Sequence, residues 1–343
     1  MSGVYVDGAG IYVECDDGML FLAENHDNGV YSINNGKLNP ERSYRLNIEL
    51  DGRKYQSAYS NPIITPDIDD VFWIQRGERQ PVIINVSTHS VENHILYYKW
   101  SYREEWEYTA DYIWVTPERC QEPSCHVLLP EDEDNCPQCG RKITKFYNHY
   151  CWGINNGYFF LSSAERTTFG RVTEKITEIN PRDIKLSILY RITVRQNAVS
   201  KQAYDYFTNV RKNTRNTGDI FSPVPSELQG NITCITDPGI KVIGFVDVST
   251  TSQKEMLISH RDNLYVPPDF EKLCRPLTRI QLCAALGNFM CDRWVVPNGY
   301  IVFDYVPVFA WIPDILEPRY SDETCFDCTL YGGTPNKPED WPQ

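Results

Sequence analysis

Along residues 96–108 the apolar and polar positions change places at every step. Leu96, Tyr98, Trp100, Tyr102, Trp106 and Tyr108 share one parity, while Tyr97, Lys99, Ser101, Arg103, Glu105 and Glu107 take the other. A period of two marks an extended strand, because successive side chains leave it on opposite faces. The run therefore predicts a long antiparallel strand with one aromatic face and one mostly charged face. The same period recurs earlier, where Tyr44, Leu46, Ile48 and Leu50 alternate with Arg45, Asn47 and Glu49 before Asp51-Gly52. Asp-Gly tolerates the positive φ angles of a two-residue hairpin turn, so Lys54 to Ser57 reads as the returning strand. Val4 to Val6, Ile11 to Val13, Met19 to Leu22 and Gly29 to Tyr31 are shorter runs parted by Asp/Gly turns. Phe72 to Ile74 and Val82 to Val86 open a second strand-rich region.

One segment follows a different period. Ala203, Phe207 and Val210 fall at helical spacing after Ser200, whose hydroxyl suits an N-cap. Arg211, Lys212 and Arg215 crowd the last turns, where cations meet the negative helix end, and Gly218 offers a left-handed stop. Asp219 to Leu228 holds Pro223 and Pro225 and should cross the surface extended. Val242 to Val248 and Lys254 to Ser259 are β-branched or aliphatic runs, predicted to be buried strands.

The architecture these elements predict is mainly β, with one short α-helix near 200–216. Residues 1–66 form an N-terminal β-sandwich, and Pro62 and Thr65-Pro66-Asp67 lie in the linker that ends it. Residues 67–343 form a larger antiparallel β-sandwich with a Cys-rich insertion at 117–143. The N-terminal order V-x-G-A-x-I-x-V, then G-x-Y, then Y-x-L-x-I resembles transthyretin-like, Ig-like sandwiches. Those folds have one or two strands ahead of the first one seen here. Met1 leads straight into GVYVDGAGIYVE, with no export signal. A truncated start is the expectation, with signal and missing strands upstream.

Composition sharpens this picture in three ways. A length of 343 residues suggests about two domains, and 22 Tyr, 14 Phe and 8 Trp favour strands. A net charge of -13 argues against nucleic acid, which needs a basic face. No apolar run approaches the roughly 20 residues that span a bilayer.

Twelve cysteines are the anomaly. In an exported chain they imply disulfides; in a reducing cytosol they imply metal or free thiols. Cys120 and Cys125 (CQEPSC) precede Cys136 and Cys139 (CPQCG), with the acidic run Glu131 to Asp134 between them. The C-P-x-C-G turn aims two thiolates at one point, and two such knuckles make a tetrahedral four-sulfur zinc site. Two disulfides are the alternative. Either role is structural, because four sulfurs leave no open catalytic position. His126 and His149 read as bystanders, and the acidic run as a solvated loop tip, with calcium binding as the lesser alternative.

Near the C-terminus, Cys325 and Cys328 (CFDC) are expected to bridge to Cys274, Cys283 or Cys291 rather than to each other, since no thioredoxin-like βαβ pattern surrounds them. Trp341 should pack back onto the sandwich. The aromatic stripe at 96–108 could serve as a stacking platform for sugar or peptide, but core packing is the favoured reading. No G-x-S-x-G elbow, phosphate-cradling P-loop or H-E-x-x-H is present, so no catalytic residue is assigned. Asn85-Val86-Ser87 and Asn231-Ile232-Thr233 read as chance sequons in strands.

Several longer segments carry a resemblance. They are TPDID at 65–69, YYKWSYREEWEY at 97–108, CW at 151–152 and FFLSSAE at 159–165. RITVRQNAVSKQAYDYF, GDIFSPVPSELQGNI, GFVDVST and CFDCTLYGGTPNKPEDW follow in order. In these the chain resembles the domain of unknown function 4249 family, outer-membrane-associated lipoproteins of Bacteroidota. The resemblance implies a neighbouring TonB-dependent transporter, a role in nutrient capture, and membrane attachment only through a lipid anchor absent from this chain. Cys15 does not fit as the lipidated residue, because it lies in a strand with no apolar signal core before it. The family has no established catalytic residues to carry over. The expected function is that of a surface-exposed lipoprotein that binds a small ligand, peptide or glycan, or caps the transporter. The alternative is an enzyme, a hydrolase or peptide-processing factor using loops of the sandwich. A cytosolic zinc-ribbon adaptor fits CPQCG but neither the acidity nor the other eight cysteines.

Overall fold

The alternating segments pair as antiparallel ladders in a computed structural model that describes residues 5–33, 38–89, 97–111, 148–165, 167, 171–215, 230–262, 274, 276–278, 281, 301–309 and 312–342. In chain order the first strands are β1 (Gly10–Cys15), β2 (Leu20–Leu22), β3 (Glu24–Asn25), β4 (Tyr31–Ser32), β5 (Tyr44–Leu50) and β6 (Arg53–Ser57). Then come β7 (Ile68–Ile74), β8 (Val82–Thr88), β9 (Tyr97–Thr109), β10 (Tyr150–Asn156), β11 (Phe160–Ser163), β12 (Val172–Ile179) and β13 (Leu189–Ala198). The helix α1 (Lys201–Arg215) is followed by β14 (Ile232–Cys234), β15 (Thr251–Ser259), β16 (Leu277–Thr278), β17 (Ile301–Phe309) and β18 (Ile312–Ser321). The fold is mainly β, with antiparallel sheets and one α-helix among the described residues.

The first sheet has the order β14-β6-β5-β1-β2. Its β5–β6 hairpin turns at Asp51 and Gly52 with φ of 51° and 73°, the positive pair that the Asp-Gly sequence allows. The register Ile11↔Ile48, Val13↔Leu46 and Cys15↔Tyr44 puts the apolar residues of β1 and β5 on one face. On the other face Arg45 donates two 2.8 Å hydrogen bonds to Glu14, which also accepts from Asn47 and Tyr59. β14, from late in the chain, completes this sheet beside β6.

The main core lies between two further sheets, β10-β9-β13-β15 and β12-β8-β7. Val82, Ile84 and Val86 from β8 meet Tyr98 and Trp100 from β9 and Tyr190, Ile192 and Val194 from β13, all buried. β9 is long enough to pair with β13 along one side and, on the other, with β10 and β11 in succession. The aromatic stripe is therefore core: Tyr98, Trp100 and Tyr108 are buried, and the Trp100 indole N–H donates to Ser162 Oγ at 2.8 Å. Gly153 stands opposite Trp106, and a Cβ there would enter the indole ring.

Ser200 caps α1 as expected, its Oγ accepting from the Ala203 N–H at 3.1 Å. Ala203 and Phe207 seat the helix against Tyr97 and Val199. Gly218 and the Pro-rich crossing lie outside the described residues. Two strand expectations change. Residues 242–248 form no strand, because the Asn231 side chain takes the place of a neighbouring ladder: its amide donates to Val246 O at 2.7 Å and its oxygen accepts from Val246 N at 2.8 Å. β15 is a strand but not a buried one, since its side chains alternate between half-buried and exposed until Ile258. No helix among the described residues is long and apolar enough to cross a membrane.

Candidate functional site

Two adjacent carboxylates sit at the centre of β9, and the strand sends them to opposite faces. Glu104 takes a position on the aromatic, core-facing parity. A buried carboxylate needs its charge and lone pairs satisfied. Here Lys185 Nζ reaches both its oxygens at 3.0 Å, the Tyr190 hydroxyl donates at 2.8 Å and Asn155 Nδ2 at 2.6 Å. The same ammonium lies 4.9 Å from the centre of the Trp106 ring. Burial, and then the Glu104 charge, push the Tyr190 phenol well above its ordinary range, so it stays a donor.

Glu105, on the opposite face, is buried beneath a C-terminal clasp. Arg191 reaches it at 2.7 Å and Arg103 at 2.8 Å. Arg191 also donates to the Asp340 carbonyl at 3.0 Å and to both Asp340 carboxylate oxygens at 3.1 Å. Burial works against the guanidinium charge, yet the bonds to Asp340 and Glu105 outweigh it and raise its pKa. In return Arg191 holds the Asp340 carboxyl below the usual carboxylate range. Trp341 packs back as expected: it is buried, its ring centre lies 5.1 Å from Arg191 Cζ, and its indole N–H donates to Glu107 at 2.9 Å.

Disulfides fasten the same clasp. Cys325 bridges Cys274, one of the partners the sequence suggested. Cys328 bridges Cys151 instead of Cys283 or Cys291, across 177 residues. The pairing follows from register, since β10 places Cys151 beside Tyr108, whose hydroxyl donates to the Cys328 carbonyl at 2.9 Å. Trp152 and Thr334 exchange backbone hydrogen bonds of 2.8 and 2.9 Å just beyond. Cys15 and Cys234 are buried free thiols.

Cys120, Cys125, Cys136, Cys139, the run Glu131 to Asp134 and His126 lie outside the described residues. Among the described residues no group of three or more His, Cys, Asp or Glu is placed to hold a metal. His149 lies edge-on to Tyr150, ring centres 4.8 Å apart. Two other features have a chemical character of their own. Lys99 rests on the rings of Phe207 and Phe159, 4.3 and 5.1 Å from their centres, and burial lowers its pKa. A cleft of about 300 Å³ at the β5–β6 turn is lined by Gly10 and residues 49–54, whose charged members are Glu49, Asp51, Arg53 and Lys54. Neither feature sets a nucleophile beside a base. At β9 both carboxylate oxygens of Glu104 and of Glu105 are engaged, an arrangement that locks strands together.

Glu104 is not among the residues that the period of β9 singles out as functional. Its signal was a single charge at a core-parity position of a period-two strand, which demands a buried cation. Cys151 was visible only as part of the CW pair.

Residues 2–255 match the family described as Domain of unknown function (DUF4249). No curated protein and no solved structure matches the chain. The match spans well over half of the 343 residues, so the chain belongs to that family.

Proposed function

From that membership we propose an exported, surface-displayed accessory protein that docks with a TonB-dependent outer-membrane transporter and serves nutrient uptake without turning over a substrate. The observation that carries this reading is the pair of disulfides, Cys151–Cys328 and Cys274–Cys325, built into the interior of the clasp. Such bonds form and persist in oxidising compartments and are rare in a reducing cytosol. The saturated Glu104 and Glu105 networks add to it, because they spend the most buried charges of the main sheet on holding strands together. The ligand such a partner would present is a small molecule, peptide or glycan.

Affinity purification from the native outer membrane tests the proposal, with the co-purifying transporter and bound small molecules identified by mass spectrometry. Deleting the protein should impair uptake through that transporter. Robust hydrolysis of a glycan or peptide by the isolated protein, abolished by one Asp, Glu or His substitution, would overturn it. The same preparation decides between the two readings of Cys120, Cys125, Cys136 and Cys139. Zinc at about one per chain, released by Cys139→Ser, assigns the four thiolates to metal. Recovery of all four as disulfide-linked peptides assigns them to bridges.

A further inference from the structure

Two sheet edges elsewhere in the protein carry charge. β12 ends its sheet with Glu174, Lys175 and Glu178, and β15 ends the main sheet with Lys254 and Glu255. Charged side chains at an edge discourage pairing with another chain. β2 is also an edge strand, and it has no such protection. From Met19 to Ala23 the sequence reads Met-Leu-Phe-Leu-Ala, without charge or proline.

Among the described residues its outer backbone groups are unpaired as well. Cys15 N donates to Met19 O and Ala23 N donates to Ile11 O, so the odd-numbered residues turn their backbone groups toward β1. Antiparallel alternation then directs the N–H and C=O of Leu20 and Leu22 outward, where no further strand is paired among the described residues. The side chains beside that open edge are exposed: Met19 57%, Leu20 54% and Leu22 70%.

The surroundings select the occupant. Residues 1–33 hold Asp7, Glu14, Asp16, Asp17, Glu24 and Asp27 but neither Lys nor Arg. Arg45 pairs with Glu14, and Arg42 reaches Asp16 and Asp17. Among the described residues no cation pairs with Asp7, Glu24 or Asp27. A second copy of this chain would bring the same acids to the same edge, and like charges set against each other oppose association.

We propose that the outer edge of β2 receives an extended strand from a different protein, a strand with apolar side chains between Lys or Arg residues. Main-chain hydrogen bonds to Leu20 and Leu22 would supply the pairing, their side chains the apolar contact, and the acidic rim the selection of basic flanks. The inference rests on the docking reading above and locates its surface.

The test uses the full-length oxidised protein and a short labelled peptide of alternating valine and threonine with lysines at both ends, followed by fluorescence anisotropy. Saturable binding is expected. It should weaken about tenfold in Leu22→Lys and about tenfold for a peptide ending in glutamates, and it should fall with added salt. Because Leu22 is exposed, an unchanged urea midpoint will show that the variant stays folded. Absence of saturable binding, equal affinity for the two peptides, or an unaffected Leu22→Lys variant overturns the proposal. So does concentration-dependent dimerisation abolished by Leu22→Lys, which would give the edge to a second copy. If Leu22→Lys still co-purifies with the transporter, the edge proposal fails while the docking reading stands.

Discussion

Replacing Arg191 by methionine isolates the interaction that seats the clasp on β9. Methionine keeps much of the side-chain volume and removes the guanidinium. The Glu105 carboxylate is then left in the interior, with only Arg103 at 2.8 Å, and that side chain is half exposed at 50%. Removing one partner of a buried ion pair costs about 3–5 kcal/mol, because the remaining charge is left desolvated. Arg103 retains part of the compensation, so about 3 kcal/mol is expected. The second substitution Glu105→Leu removes the stranded charge, and the double variant should recover roughly 1–2 kcal/mol relative to Arg191→Met alone. Asp340→Asn should cost little, since its side chain is 74% exposed. Urea unfolding of the oxidised protein, followed by tryptophan fluorescence and circular dichroism together, measures all five forms: the parent, Arg191→Met, Glu105→Leu, the double variant and Asp340→Asn. If Arg191→Met falls within about 1 kcal/mol of the parent, the pair behaves like a surface salt bridge and the reasoning is wrong. Strict additivity of the two substitutions would refute it equally.

Three further outcomes follow from the same structure. With Cys274–Cys325 intact, the loop closed by Cys151–Cys328 is about 126 residues, 123 from Cys151 to Cys274 and 3 from Cys325 to Cys328; Cys151→Ala/Cys328→Ala should therefore lose up to about 5 kcal/mol in urea unfolding, and a loss near zero would show that the bridge is incidental. Arg45 holds Glu14, and Arg191 holds Asp340, below the ordinary carboxylate pKa; such groups stabilise the fold above their unfolded pKa and lose that contribution as pH falls through the folded one, so the unfolding midpoint should drop below about pH 4, and Glu14→Gln should flatten the profile. Gly153→Ala drives a methyl into the Trp106 ring and should cost about 1–3 kcal/mol with a changed near-ultraviolet dichroism spectrum, whereas an unchanged melting temperature would mean that the ring has room to move.

What was legible in the sequence was local. The β9 stripe, the Asp51-Gly52 hairpin and the Ser200 cap each depend on residues within a turn or two, so their spacing carries the information. The ties between distant segments were not legible. Lys185 and Tyr190 lie 81 and 86 residues from Glu104, and nothing in the period of β9 names them. Residues 242–248 have strand composition, but a single asparagine amide from residue 231 satisfies the backbone there and no ladder forms. Of the two cysteine pairs in the clasp, Cys274–Cys325 was among the options and Cys151–Cys328 was not, because the register of β10 on β9 decides it.

The clasp also closes late, because its residues follow in the chain all the groups they bind. Residues 325–341 leave the ribosome after every group they bind: Cys151, Cys274, Tyr108, Glu107 and Arg191. Until they emerge, Cys151 is an unpaired thiol and the Glu105–Arg191 pair lacks its cover. A chain stopped before Cys328 would therefore leave Cys151 without its bridge partner and the Glu105–Arg191 pair without its cover. A molecule carrying both bridges has thus been translated at least as far as Cys328.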